Sequence, residues 1–204
     1  MLLFTPYVKG TTDYEALAKS LKSKGTMLGH VHRVISTKED EDDAYAFGVD
    51  VADLFLKSTS STLAPAERTP RQLANDMFRA AVSFVAGYRG GDGEVPEPAL
   101  LYLDPTYRPV KTGWLDAIQS NYYLQNRPVI MGRSVVQPDK SKRFDGPVVV
   151  SREFQRISGL LGFIPNHEHW RHYLRWELTH NGSETTLIGE GGEAVLKPQP
   201  VKKP

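Results

Sequence analysis

Residues Ala99–Arg133 read ALLYLDPTYRPVKTGWLDAIQSNYYLQNRPVIMGR, and the fold is decided there. The stretch opens on five apolar residues, Ala99 to Leu103, set off upstream by Pro96 and Pro98. So short a run between breakers is a buried strand rather than a helix. It stops at Asp104-Pro105. Beyond Pro109, Thr112-Gly113-Trp114 opens an amphipathic helix with Thr112 as N-cap, and Trp114, Leu115, Ile118 and Tyr122 follow at helical spacing. Val129-Ile130-Met131, after Pro128, is a second apolar run. Strand, acidic residue, helix and strand make a βαβ unit, and ligands of such units sit beyond the carboxyl ends of the strands. Asp104 stands at that place.

Upstream, Leu2-Leu3-Phe4 reads as a first strand that ends in the loop Thr5-Pro6-Tyr7. Thr12 and Glu15 form a capping box for a helix carrying Leu17 and Leu21, which Gly25 stops. Val31–Ile35 is a second strand. Five acids, 39–43, lead into a helix expected over 42–55. Thr69-Pro70 starts a further helix, with Leu73, Met77, Phe78, Ala81, Val82 and Val85 as its buried stripe. Asn75 and Arg79 lie four apart on one face of it. The glycines of 90–93 lack the Lys-Ser/Thr and the following helix of a phosphate loop.

Downstream, 134–145 is polar and basic and reads as a long loop, with Lys140, Lys142 and Arg143 suited to cover anionic phosphates. Val148–Val150 is a buried strand. Ser151 caps one helix and Asn166 another, over 167–178, which carries His169 and His172 three apart; the His-Glu-x-x-His pattern of zinc proteases is absent. Thr185–Ile188 reads as a last strand. Glycines, prolines and lysines then dominate, so the chain divides into an α/β domain over 1–188 and an extended arm over 189–204 that grips a protein partner or another copy.

Composition narrows the function classes. The 204 residues can bury a large core without staples. With no cysteine, disulfides, thiolate catalysis and cysteine-ligated zinc are excluded. A formal net charge of +1 supplies no field for steering nucleic acid, and basic residues do not cluster with aromatics on one element. No run approaches the ~18 apolar residues of a membrane span. Met1-Leu2-Leu3-Phe4 has no basic lead of an export signal, so the expected location is the cytoplasm, or a viral particle assembled there.

The segment LYLDPTYRPVKTGWLDAIQSNY, followed by RPVIMGR, resembles glycosyltransferases of the nucleotide-sugar-binding GT-A type. Asn75–Ala81 resembles that family's segment before its acidic strand, and Phe4-Thr5-Pro6-Tyr7 its first strand and nucleotide-facing loop. The likeness spans roughly residues 1–135. It implies a single Rossmann-like α/β domain with a mostly parallel central sheet flanked by helices. It implies a nucleotide sugar as ligand, with Thr5 and Tyr7 at the base and Asn75 and Arg79 near the sugar. It also implies a divalent ion, Mn²⁺ or Mg²⁺, on an Asp-x-Asp motif, where the ion neutralises the leaving diphosphate. Asp104 and Thr106 occupy that motif, with His169 as a third ligand and Asp145 in the place of the acceptor-facing residue and base. Thr106 replaces the second carboxylate, so the metal loses one charged ligand. Two functions follow: a metal-dependent glycosyltransferase, or an inactive GT-A-like subunit that serves assembly, as in a phage particle.

Overall fold

The computed structural model describes residues 1–7, 14–26, 31–35, 54–55, 69–87, 99–154, 164, 168–173 and 181–199. Strands β1 (Leu2–Tyr7), β2 (Val31–Ile35), β3 (Leu54–Phe55) and β4 (Leu100–Tyr102) lie side by side in the order β3-β2-β1-β4, all parallel. Beyond β4 the sheet continues through β7 (Lys142–Val150), β6 (Ile130–Val136) and β8 (Gly182–Glu184). β7 is antiparallel to both β4 and β6, and β8 is parallel to β6. The central sheet is therefore mixed. In the expected βαβ unit, β4 and β6 do run in one direction, but the reversed β7 lies between them. A separate two-stranded sheet joins β5 (Tyr107–Pro109) to β9 (Leu196–Pro198).

Both faces of the sheet are covered, which is why β4 reads as an unbroken apolar run instead of an alternation. On one face Leu3, Leu101, Leu103, Met131 and Val149 pack against Leu17 and Leu21 of helix α1 (Tyr14–Ser23) and against Trp114, Ile118 and Tyr122 of helix α3 (Trp114–Leu124). On the other, Phe4, Tyr102, Val148 and Val150 meet Met77, Phe78, Ala81, Val82 and Val85 of helix α2 (Pro70–Gly87) and Trp170 of the single-turn helix α4 (Trp170–Tyr173). Neighbouring residues on each strand thus serve opposite cores, as the period of two requires. Among the described residues no helix is long and apolar enough to cross a membrane.

Helix boundaries follow from local chemistry. The Thr69 hydroxyl accepts from the Gln72 N–H (3.3 Å) and Gln72 Oε1 accepts from the Thr69 N–H (2.8 Å), a reciprocal capping box just before Pro70. α1 ends where Gly25 takes φ +82°; the Gly25 N–H donates to the Lys22 carbonyl and the Thr26 N–H to that of Leu21. Its predicted start at Thr12 lies outside the described residues. α3 departs from expectation. Gly113, in the left-handed region (φ 72°, ψ 14°), is its N-cap, no side chain caps it, and Thr112 is exposed. Glycine makes that turn without a Cβ clash, and it swings Trp114 into the core, where its indole N–H donates to the Thr26 hydroxyl (2.9 Å).

Four further expectations are corrected. Residues 134–145 are a β-hairpin, not a loop: β6 and β7 pair from Val136↔Lys142 inward, and the turn is tied by Asp139 Oδ1, which accepts from the N–H and hydroxyl of Ser141. The ladder carries a bulge at Gly132/Arg133, where a Cβ on Gly132 would approach the Phe144 ring to 2.9 Å. Leu54 and Phe55 are strand, not the end of a helix, and 42–53 lie outside the described residues. The last sheet strand is Gly182–Glu184, while Thr186 and Leu187 turn. Of the helices expected over 151–161 and 167–178, residues 155–161, 167 and 174–178 lie outside the described residues.

The fourth correction concerns the arm. Residues 189–199 fold into the body: Ala194, Val195 and Leu196 are buried, the Val110 N–H donates to the Val195 carbonyl (2.9 Å), and Gln199 reaches the Thr106 carbonyl (2.8 Å). Residues 200–204 lie outside the described residues. Three apolar residues suffice to seat the segment, although glycine, proline and lysine dominate its composition. Leu196→Ala should therefore destabilise the protein by about 2–4 kcal/mol in urea unfolding, the usual cost of truncating a buried leucine. A solvent-exposed arm would lose almost nothing.

Candidate functional site

The site grows from the carboxyl end of β4. The Leu103 N–H still pairs with the Phe4 carbonyl (2.7 Å), after which the chain leaves the sheet. Asp104 fixes the exit: its Oδ1 accepts from the Thr106 N–H (3.0 Å) and from the Thr106 hydroxyl (2.6 Å), an Asx turn across Pro105. Its Oδ2 accepts from Nη2 of Arg171 (3.1 Å) on α4. Arg171 also donates through Nη1 to the Gly146 carbonyl (2.5 Å) on β7, and its guanidinium lies 4.7 Å from the centre of the Trp170 ring. The Asp104 and Arg171 side chains are 24% and 15% exposed, so the pair is largely withdrawn from water.

A second group adjoins. Arg108 donates through Nη1 to the carbonyls of Pro105 and Tyr107 and so braces the acidic turn from below. Gly146 has φ +74°, and a Cβ there would collide with the Tyr107 ring. Glycine thus lets β7 pass close to Tyr107 while turning its carbonyl to Arg171. Arg133 pairs with Asp145 at 3.9 Å. Burial first, then the Asp145 charge, pushes the Tyr107 phenol above its ordinary pKa.

α2 positions α4. Asn75 is 4% exposed; its Nδ2 donates to the Glu168 carbonyl (2.8 Å) and its Oδ1 accepts from the Trp170 N–H (2.7 Å). Trp170 is stacked on Phe78 (3.8 Å, 4°) and meets Tyr102 edge-on. The Asn75 amide is thereby consumed in holding the segment that carries Arg171. Arg79, one turn along, pairs with Asp76 (3.5 Å). The hydrogen bonds of the Asn75 side chain go to the segment before α4 and to its first residue.

Thr5 lies on β1 beside the carboxyl end of β4. It follows Phe4, whose Cα partner on β4 is Tyr102, and it is completely buried. Among the described residues its hydroxyl has no hydrogen-bond partner. Tyr7 ends β1, and its side chain lies outside the described residues. His169 precedes α4, and its Nδ1 accepts from the Arg171 N–H (3.2 Å). Burial, followed by the Arg171 charge, pulls its pKa down to about 4 against a smaller opposing effect of Asp104, so it is neutral at pH 7.

The expected metal ligands do not fit a divalent ion in this arrangement. Asp104 has both oxygens engaged, Thr106 directs its proton at Asp104, and the Arg171 cation sits on the remaining oxygen. At an effective dielectric of about 20, charges of +2 and +1 about 5 Å apart repel by about 7 kcal/mol. Among the described residues no three His, Asp or Glu side chains form a group able to hold a metal. A cavity of about 360 Å³ opens elsewhere, at the amino end of β1, between Met1, Lys24, Thr26, Gly113, Trp114 and Asp116. It shares no residue with the acidic turn.

Arg171 and Arg133 are residues beside the acidic turn that the sequence patterns did not single out. Arg171 is 67 residues from Asp104, and no local motif announces the pair. His169 generates a pH signature. Its folded pKa lies below the ordinary 6.5, so the unfolded chain binds the extra proton; this part of the stability is complete above pH 6.5 and is lost as pH falls to about 4. Urea midpoints at pH 7.5 and 4.5 should differ less in His169→Gln than in the unaltered protein; an equal difference would contradict the assignment.

No protein-family model and no curated protein matches the sequence. Solved structures do match. Mouse xyloside xylosyltransferase 1, in its apo form, superposes with a TM-score of 0.63 at 12% identity, over 99% of this chain and 98% of that one. The galactosyltransferase LgtC, in complex with donor and acceptor sugar analogues, superposes with a TM-score of 0.59 at 8% identity, over 97% and 86%. Along nearly its whole length, the chain has the GT-A fold of these glycosyltransferases.

Proposed function

We propose that the chain binds a nucleotide sugar at the carboxyl ends of β1 and β4 and transfers the sugar to an acceptor hydroxyl. The observation that carries this reading is the buried Thr5 hydroxyl without a partner, one strand away from the acidic turn at Asp104, in a GT-A fold. A buried hydroxyl left unpaired costs about 1–3 kcal/mol, a cost that a ligand's polar edge would remove. Ligands of open α/β sheets are received at this edge.

In the transfer, the acceptor oxygen forms a bond to the anomeric carbon as the bond from that carbon to the diphosphate breaks. The acceptor proton must leave, and the diphosphate departs with added negative charge. Asp145, 43% exposed and held by Arg133, is the proposed base. Tyr7 is the proposed stacking partner of the nucleobase. The alternative of an inactive assembly subunit drew on the missing second carboxylate, the small size and an extended arm. With 189–199 folded into the core, the arm no longer supports it.

A thermal-shift panel of nucleotide sugars tests the reading. One nucleotide class at ~100 times its dissociation constant should stabilise the fold by about 2.7 kcal/mol. Thr5→Val should leave the free protein as stable or more so, while weakening that nucleotide about five- to tenfold, the value of one hydrogen bond. A panel with no shift on well-folded protein would contradict the proposal.

A further inference from the structure

The Arg171 guanidinium sits on the carboxylate where a nucleotide-sugar enzyme of this fold was expected to hold its ion. Nη2 is 3.1 Å from Asp104 Oδ2, Nη1 is 2.5 Å from the Gly146 carbonyl, and the ring of Trp170 backs the group at 4.7 Å. Asn75 clamps the backbone on either side of His169, so the cation is held by a rigid frame and not by a swinging surface side chain. A guanidinium has five N–H donors. Two are accounted for by Asp104 and Gly146, which leaves three without a partner among the described residues.

We propose that Arg171 stands in for the divalent ion, so that this site recognises the diphosphate of its nucleotide ligand without metal, through a guanidinium that Asp104 and Gly146 hold in place. The inference rests on the nucleotide-sugar reading above and specifies how the anionic part of that ligand is met. Planar guanidinium donors match phosphate oxygens two at a time, and a charge already embedded in the protein needs no recruitment from solvent. In transfer, the same charge would meet the negative charge that develops on the departing diphosphate. Thr106 then has a use: in place of a second metal-binding carboxylate, it orients Asp104 so that Oδ2 faces Arg171.

The response to a divalent ion separates a guanidinium from a metal. The measurement is calorimetric binding of UDP, GDP, CDP and ADP to the full chain, in EDTA and again with Mn²⁺. The expected result is one diphosphate whose affinity agrees within twofold in the two buffers. Asp104→Asn, which loosens the guanidinium, should weaken binding equally in the two buffers. Arg171→Ala should lose ten- to a hundredfold, and Arg171→Lys, which keeps charge but not the fork, should fall between. If Arg171→Ala does not fold, Arg171→Lys carries the test. Binding seen only with Mn²⁺, or undiminished in the Arg171 variants, overturns the arginine assignment and leaves the nucleotide-sugar reading intact. Absence of binding by all four diphosphates in both buffers overturns both.

Discussion

The ion pair between Asp104 and Arg171 joins the parts of the molecule that any ligand at this edge would meet. Asp104 ends β4, Arg171 rides on α4, and through the Gly146 carbonyl the same guanidinium reaches β7. Because both side chains are mostly buried, removal of either would leave an uncompensated charge in a low-dielectric setting, a defect far costlier than loss of a surface salt bridge. The pair is in turn only as well placed as its frame. Asn75 fixes the backbone of α4, and Phe78 stacks on Trp170 behind the guanidinium. A polar clamp and an aromatic stack from one helix therefore determine the electrostatics of the sheet edge.

The reversed strand β7 explains how so small a sheet builds a two-sided site. Parallel strands β1 and β4 bring Thr5 and Asp104 to one edge, as the fold class dictates. β7 runs the other way between β4 and β6, and the residues preceding its pairing with β4, Asp145 and Gly146, come to the same edge. Gly146 permits the close approach to Tyr107. From the opposite side, β9 pairs with β5 and brings Gln199 to the Thr106 carbonyl. The acidic turn is thus enclosed by segments distant in sequence, with the C-terminal strand as one wall.

What was legible in the sequence was local. β4 stood out because burial on both faces makes a strand uniformly apolar, and α2 because Thr69 and Pro70 are the cap and the first position of a helix start. Gly25 announced its helix end for the same reason. Features that depend on pairing were not legible. Lys142, Arg143 and Asp145 look like loop residues because the outer part of a two-stranded ribbon is wetted, yet their backbone is paired with β6. Residues 194–196 were hidden by the composition around them, although only their own burial matters to the core. Asp104 was found from its place after a strand; its partner could not be, since a pair 67 residues apart leaves no periodic trace. Asn75 was noticed for its spacing from Arg79, but its role, a clamp on α4, follows only from tertiary contact.

The central claim is that the carboxyl edge of β1 and β4 is the ligand site. It is tested most directly by a map of backbone amide shifts on addition of the diphosphate that binds, in EDTA. The account predicts that the amides of Thr5, Thr106, Gly146 and Arg171 move together with one dissociation constant. Movement confined to Met1, Thr26, Gly113 and Trp114, around the cavity at the other end of β1, would contradict it.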